Sequence, residues 1–241
     1  MLEKLHGIVL QTIRHNDRNN IVTLFTAERG RISCLCPTGT SRAARLRRAR
    51  MAPLAVVETE INFRAGRELQ FLGDIAAPMP WRNLYFDPVK GAMTTFISEF
   101  LNRLLRTSES DLPMWNYLLH AIGALDALQR GMANYHLVFL LRLLRFAGIE
   151  PDMSTFRPDR YFDLRGGIFT DMVPLHRDFL MPADACRIQL LLRMNFRNLH
   201  LFKFNVDERR HILGILLRYY SLHLPMPSDF TSLEILREIF A

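Results

Sequence analysis

The sequence predicts an α+β multidomain chain: a small amino-terminal β-barrel over residues 1–80, then an all-α helical domain over 81–241 carrying a β-hairpin insert at 152–181. Three observations lead there. The first 80 residues hold about five short runs rich in β-branched and aromatic residues, punctuated by Asn, Asp and Gly. From Asp87 onward the apolar residues recur at three- and four-residue spacing, the helical period. Between 152 and 181 that period lapses, and two short apolar runs flank Gly166-Gly167 with the spacing of a hairpin.

Residues 7–14, 21–26 and 31–36 read as three strands separated by the polar turn 15–20 and the tight turn 27–30. A loop follows in which five of nine residues are arginine: Arg42, Arg45, Arg47, Arg48 and Arg50. Residues 55–63 and 68–75 are two more strands, joined by the turn 64–67 that carries Arg64 and Arg67. Five short strands in this length, with no long helical pattern, fit a closed or partly closed barrel of the OB type, a frequent host of single-stranded nucleic acid. An SH3-like barrel has the same strand count, and periodicity does not separate the two. Phe25, Phe63 and Phe71 are expected inside the barrel, because small barrels are filled by inward side chains; stacking on bases is the rival reading.

Ala77-Pro-Met-Pro80 breaks the strand pattern and marks the domain boundary, since proline cannot donate to a ladder. Asp87 and Pro88 then open a helix, with Val89, Met93, Phe96, Ile97, Phe100, Leu101 and Leu104 on its inner face. After the polar loop 107–111, residues 113–129 form a second helix stopped by Arg130-Gly131. A third, 133–146, is apolar around most of its circumference and belongs in the middle of a bundle, with Arg142 and Arg145 as a solvated or salt-bridged stripe. Further helices are expected over 182–194, over 206–222 behind the acidic pair Asp207-Glu208, and over 230–240.

Of 241 residues, 49% are hydrophobic, ample for a core. The amino terminus, from Met1 to His6, has no apolar signal core, and no run of about 18 apolar residues occurs, so neither export nor membrane spanning is expected. Three cysteines, two of them a dipeptide apart at Cys34 and Cys36, imply no disulfide framework and a reducing cytoplasm. The net charge of +7 points to an acidic partner, and residues 1–80 carry 12 Lys and Arg against 7 Asp and Glu. Arginine supplies 28 of the 31 basic residues; its planar fork pairs phosphate oxygens bidentately.

Catalytic signatures are missing. There is no Walker loop, no Gly-x-Gly-x-x-Gly, no His-Glu-x-x-His and no Gly-x-Ser-x-Gly. The eight histidines are scattered singly, the cysteines lack metal-ligand spacing, and Asp207-Glu208 is explained by the dipole of the helix it opens. A binding module without cofactor or metal is therefore favoured over an enzyme.

The chain resembles the RecO family of DNA repair proteins. The resemblance rests on Gly7-Ile-Val-Leu10, Ile21-Val-Thr-Leu-Phe-Thr26, Arg29-Gly-Arg-Ile-Ser33 and the Arg-rich loop, and, in the helical part, on Leu141-Arg-Leu-Leu144 and Gly148-Ile-Glu-Pro-Asp152. It implies an OB-fold followed by a helical domain, in a recombination mediator without catalytic residues. Such a protein binds single- and double-stranded DNA, anneals complementary strands, pairs with RecR, contacts the tail of the single-stranded-DNA-binding protein SSB and helps load RecA, in the bacterial cytoplasm at the nucleoid. Many relatives carry a four-cysteine zinc site in the region equivalent to 152–181. This sequence has no cysteine there, and Phe156, Tyr161, Phe162 and Phe169 are expected to hold the insert by apolar packing.

Arg42, Arg45, Arg47, Arg48 and Arg50 are the expected DNA contacts, joined by Arg64 and Arg67 and by Arg14 and Arg18 of the first turn. A merely solvated surface is the competing account. An SSB tail ends in acidic and aromatic residues, so its site should combine an apolar pocket with arginines; Arg103, Arg106, Arg142 and Arg145 are the candidates. Two other classes stand beside the mediator: a nucleic-acid-processing enzyme, which metal-dependent cleavage would reveal, and an RNA-associated OB protein, which would prefer RNA to DNA.

Overall fold

The computed structural model describes residues 2–64, 66–79, 81–107, 109–227 and 229–240. Of the positions named above, Met1, Ala65 in the expected turn, Pro80 at the expected boundary and Ser108 in the expected loop lie outside them. The described residues form two compact units, one built from the chain up to Ala127 together with Phe230–Ile239, the other from Leu128–Asp229 with Phe240.

In the first unit, β1 (Leu2–Arg14), β2 (Asn19–Thr26), β3 (Gly30–Pro37), β4 (Val56–Asn62) and β5 (Leu69–Ala76) close a barrel in the order β1-β2-β3-β5-β4. The pairs are antiparallel except β3 with β5, which run parallel over Ser33–Leu35 and Leu69–Phe71. This is the OB arrangement, and it removes the SH3-like alternative. Alternation supplies the interior: Leu5, Val9, Val22, Leu24, Ile32, Cys34, Cys36, Val57, Ile61 and Ile75 share one core. Cys34 is buried enough that its thiol is pushed up to about 12, by desolvation first and by Cys36 second, so it stays protonated inside the barrel. Gly73 allows β5 to pass β4, because a Cβ there would meet the Glu60 carbonyl oxygen at 2.4 Å.

The stretch 42–50 is not a loop. It is a helix, α1 (Arg42–Arg50), inserted between β3 and β4 and opened by Ser41, whose side chain accepts from the Ala44 amide at 3.2 Å. Arg, Ala and Leu are strong helix formers, and a polar sequence of them hides its helicity from any apolar-periodicity reading.

The same unit holds α2 (Pro88–Leu104), capped by Asp87 as expected, with α3 (Leu112–Ala127) and α8 (Ser232–Ile239). Phe96, Phe100 and Phe230 form an aromatic cluster between α2 and the start of α8. Glu99 caps α8: its carboxylate accepts from the Thr231 and Ser232 amides at 3.2 and 2.9 Å and from both hydroxyls. Burial would raise its pKa, but these four donors outweigh burial and hold it below the ordinary carboxylate value. Asp126 closes the α3 end in the same manner, accepting from the amides of Arg82, Asn83 and Leu84, while the buried Lys90 donates to its main-chain carbonyl at 2.7 Å.

The second unit is helical around a small sheet. α4 (Tyr135–Phe146) is buried on nearly every side, as its composition requires. The hairpin of β6 (Tyr161–Asp163) and β7 (Ile168–Thr170) gains a third strand, β8 (Phe179–Leu180), which pairs with β6. Phe169 packs on Phe162 and Phe156 with ring centroids 4.8 and 5.1 Å apart, the packing expected of the insert. Asp178 adds an ionic clamp, receiving Arg165 at 2.8 Å and Arg218 at 2.7 Å. Among the described residues no three His, Cys, Asp or Glu side chains are grouped to hold a metal. The single helix expected over 182–194 is instead two short ones, α5 (Pro182–Ala185) and α6 (Arg187–Leu191), which share Cys186 and lack a side-chain cap at either start. α7 (Val206–His223) opens with a full capping box, Asn205 and Glu208 each bonding the other's amide.

Candidate nucleic-acid interface

Because α1 buries no side chain, packing does not dictate where its arginines go; helical geometry and a few polar contacts do. At about 100° per residue, Arg42, Arg45 and Arg48 fall within roughly 120° of one another, and all three are exposed. Arg47 and Arg50 occupy the opposite side and are half-buried against the barrel. Arg50 donates to the Ile75 carbonyl, Arg47 lies 3.8 Å from Asp74, and Arg48 reaches the Gly39 carbonyl at 3.2 Å. The five-residue cluster therefore divides: Arg47 and Arg50 anchor α1, and Arg42, Arg45 and Arg48 form a positive face to which no acid is paired among the described residues. Three i,i+3 arginine pairs repel one another by about 0.2–0.5 kcal/mol each, partly offset by the basic last turn facing the helix C-terminus.

The turn between β4 and β5 is organised from beneath. Gln70, 3% exposed, accepts from the Arg64 amide at 3.0 Å and donates to the Arg64 and Arg67 carbonyls. Arg64 and Arg67 are held outward, and the Arg67 guanidinium sits 5.5 Å from the ring centre of Phe71. Phe71 is 57% exposed, so the expectation that it fills the core fails. It lies on the outer face of β5 opposite Leu35, where alternation turns it from the interior. Phe25 is fully buried but not inside the barrel: it alternates with the inward Leu24 and packs on Trp115 of α3, ring centroids 6.4 Å apart, while Phe63 packs at the edge of the barrel core beneath the Arg29 guanidinium at 3.8 Å. In the first turn Arg14 pairs with Asp17, leaving the exposed Arg18, whose amide is held by Asn16.

The four arginines singled out for a partner divide between the two units. Arg103 and Arg106 belong to the first unit, and Arg103 is engaged with Glu99 and stacked on Phe230 at 4.5 Å. Arg142 and Arg145 belong to the second, where Arg142 donates to the Met194 carbonyl at 2.9 Å. Sequence reasoning missed an apolar cavity of about 290 Å³ in this unit, lined by Leu141, Leu144, Phe162, Leu180, Ile188 and Leu216, with Lys203 and Glu208 on its wall and Asp184 there between Arg187 and His211, at 4.0 and 3.5 Å. Its residues come from five separate stretches of chain, which no local pattern connects.

A closed five-stranded barrel in OB order, followed by helices and a small sheet, defines an OB-fold protein with a helical carboxy-terminal region. The family model "Recombination protein O N terminal" matches residues 1–77, and "Recombination protein O C terminal" matches residues 85–156. DNA repair protein RecO of Phocaeicola vulgatus is 39% identical over the full length of both chains, that of Bacteroides fragilis 38% over the full length of both, and that of Porphyromonas gingivalis 32% over 97% of both. The chain belongs to the RecO family of DNA repair proteins. None of its described helices is long and apolar enough to cross a membrane.

Proposed function

We propose that this chain is a recombination mediator that binds single- and double-stranded DNA through its barrel domain, residues 1–80, anneals complementary strands, and acts with RecR to load RecA on SSB-coated DNA. The observation that carries the reading is the outward face of Arg42, Arg45 and Arg48 on α1, with no acid paired to it among the described residues, supported by Arg64 and Arg67 on the β4–β5 turn and by Arg18. Phosphates neutralise these arginines and relieve their mutual repulsion, and Phe71 beside Arg67 offers one base a stacking surface. Annealing needs no bond-making step. A surface that neutralises two backbones lowers their repulsion, which is why no nucleophile, acid-base pair or metal is assigned a role.

The apolar cavity of the second unit is the seat for the aromatic end of an SSB tail; Lys203 on its wall and Arg142 and Arg145 on the helix that supplies Leu141 and Leu144 meet the tail's acids, while Arg187 is shared with Asp184. Annealing of complementary oligonucleotides precoated with SSB tests the whole reading. Acceleration well above the uncatalysed rate is expected, and no acceleration over buffer, with or without RecR, refutes it. Metal-dependent cleavage of single-stranded DNA, or preference for RNA, would move the chain to another class.

A further inference from the structure

The second unit contains another cation-lined cavity, which adjoins the apolar one at Lys203 and Phe204 and differs from it in character. It is open, about 780 Å³, and its wall includes Arg130, His200, Lys203 and Arg209 beside the Phe202–Phe204 ring pair, with no carboxylate among its lining residues. The chain around it is unusual: residues 185–206 contain four Lys and Arg and no Asp or Glu. Among the described residues, no acid pairs with Arg130, Lys203 or Arg209. The acids that follow are occupied elsewhere, Asp207 3.8 Å from Arg210 and Glu208 on the Asn205 amide. Because that capping box already satisfies the start of α7, the cavity's charge comes from side chains and not from a helix end.

The wall is also built to stay in place. Gly131 has φ +78°, and a Cβ there would lie 2.4 Å from Leu199 Cδ1 and 2.8 Å from His200 Cα, so only glycine permits the 199–200 segment to sit so close. The buried Asn134 amide donates to the Leu199 and Phe202 carbonyls at 3.0 and 2.8 Å, and Arg209 donates to the Phe204 carbonyl at 2.5 Å. Three contacts thus clamp a segment that presents two aromatic rings and two cationic or titratable groups. Gathering uncompensated cations on a clamped wall is electrostatically unfavourable unless an anion joins them.

We propose that this cavity is a second contact site for single-stranded nucleic acid, separate from α1: phosphates lie on Arg130, Lys203 and Arg209, and a base packs against the Phe202–Phe204 pair. The inference rests on the chain binding DNA at all. It adds a site on the second unit, which a mediator handling two strands would use for one of them.

The test uses the full-length chain and oligonucleotides carrying 5-bromodeoxyuridine, irradiated and mapped by peptide mass. Wild type should cross-link within residues 196–205 as well as within the barrel. The Arg130→Glu/Lys203→Glu variant should lose the 196–205 cross-link, keep the barrel cross-link, and anneal naked oligonucleotides at least tenfold more slowly. The milder Arg130→Gln/Lys203→Gln variant should fall between the two, guarding against a folding defect. Cross-links confined to the barrel in wild type, or an unchanged 196–205 cross-link in the charge-reversed variant, would overturn the second site while leaving the barrel reading intact. Equal competition by free thymidine monophosphate would assign the cavity to a nucleotide and overturn the strand site. No wild-type cross-link anywhere would sink the proposed function itself.

Discussion

Replacing Arg42, Arg45 and Arg48 together by alanine separates electrostatic DNA contact from fold. All three are exposed and α1 buries nothing, so no cavity is created. Alanine is the best helix former, and the change removes the 42/45 and 45/48 repulsions of about 0.2–0.5 kcal/mol each, which offset loss of the exposed Arg48–Gly39 hydrogen bond, so thermal stability should hold. For single-stranded DNA, each phosphate neutralised contributes about 0.7 to the slope of log K against log salt; losing three contacts should flatten the slope by about two units. Fluorescence anisotropy of a labelled oligonucleotide across a salt series reads this directly. The companion variant Arg47→Ala/Arg50→Ala, which removes the anchored pair, should change the slope by less than one unit but lower the melting temperature through loss of the Ile75 and Asp74 contacts. A slope unchanged in the triple variant, or a larger change in the companion, would show that the outward face of α1 does not meet phosphate.

Phe71→Ala should weaken single-stranded DNA binding by about 1–3 kcal/mol, the range for one stacked base, without moving the melting temperature, because the ring is mostly exposed; unaltered affinity would return Phe71 to a passive surface role. Glu99 is held below its ordinary pKa, so its stabilising contribution is complete above the usual carboxylate range and is lost as pH falls through the lowered folded value. In Glu99→Gln the acid-side decline in melting temperature should be shallower, with about 1 kcal/mol lost at neutral pH from the weakened cap; a parallel pH profile would refute the assignment. Asp126→Ala leaves three amides of the 82–84 segment without their acceptor and should cost about 2–4 kcal/mol by urea denaturation, whereas Asp126→Asn should recover part of it. Equal losses in the two variants would count against the amide-acceptor account.

The parts of the fold visible in the sequence were those governed by one face at a time. β1 to β5 each contribute to a single closed core, with β3 alternating cleanly, and Asp87-Pro88 marks α2 because an N-cap acts through neighbours two and three residues on. α1 escaped because a helix lying on a barrel through arginines has no apolar stripe to betray it, although Ser41 three residues before Ala44 was its local signature. The stretch 182–194 misled in the opposite direction: Ile188, Leu190, Leu191 and Leu192 look like helix interior, yet they line the walls of the apolar cavity, and the chain turns at Cys186 to distribute them. Of the site, the arginine types and their clustering were legible. Their division into anchors and outward groups, and the outward turn of Phe71, depended on register within a closed sheet, which no local pattern specifies.

The latch at Glu99 has a temporal consequence. Since α8 covers Phe96 and Phe100 from the far end of the chain, a nascent polypeptide emerging amino end first must carry an unfinished first unit through synthesis of some hundred further residues. That interval makes a chaperone-accessible aromatic patch a normal stage in the protein's birth, and it makes loss of the last dozen residues a lesion felt beside the barrel.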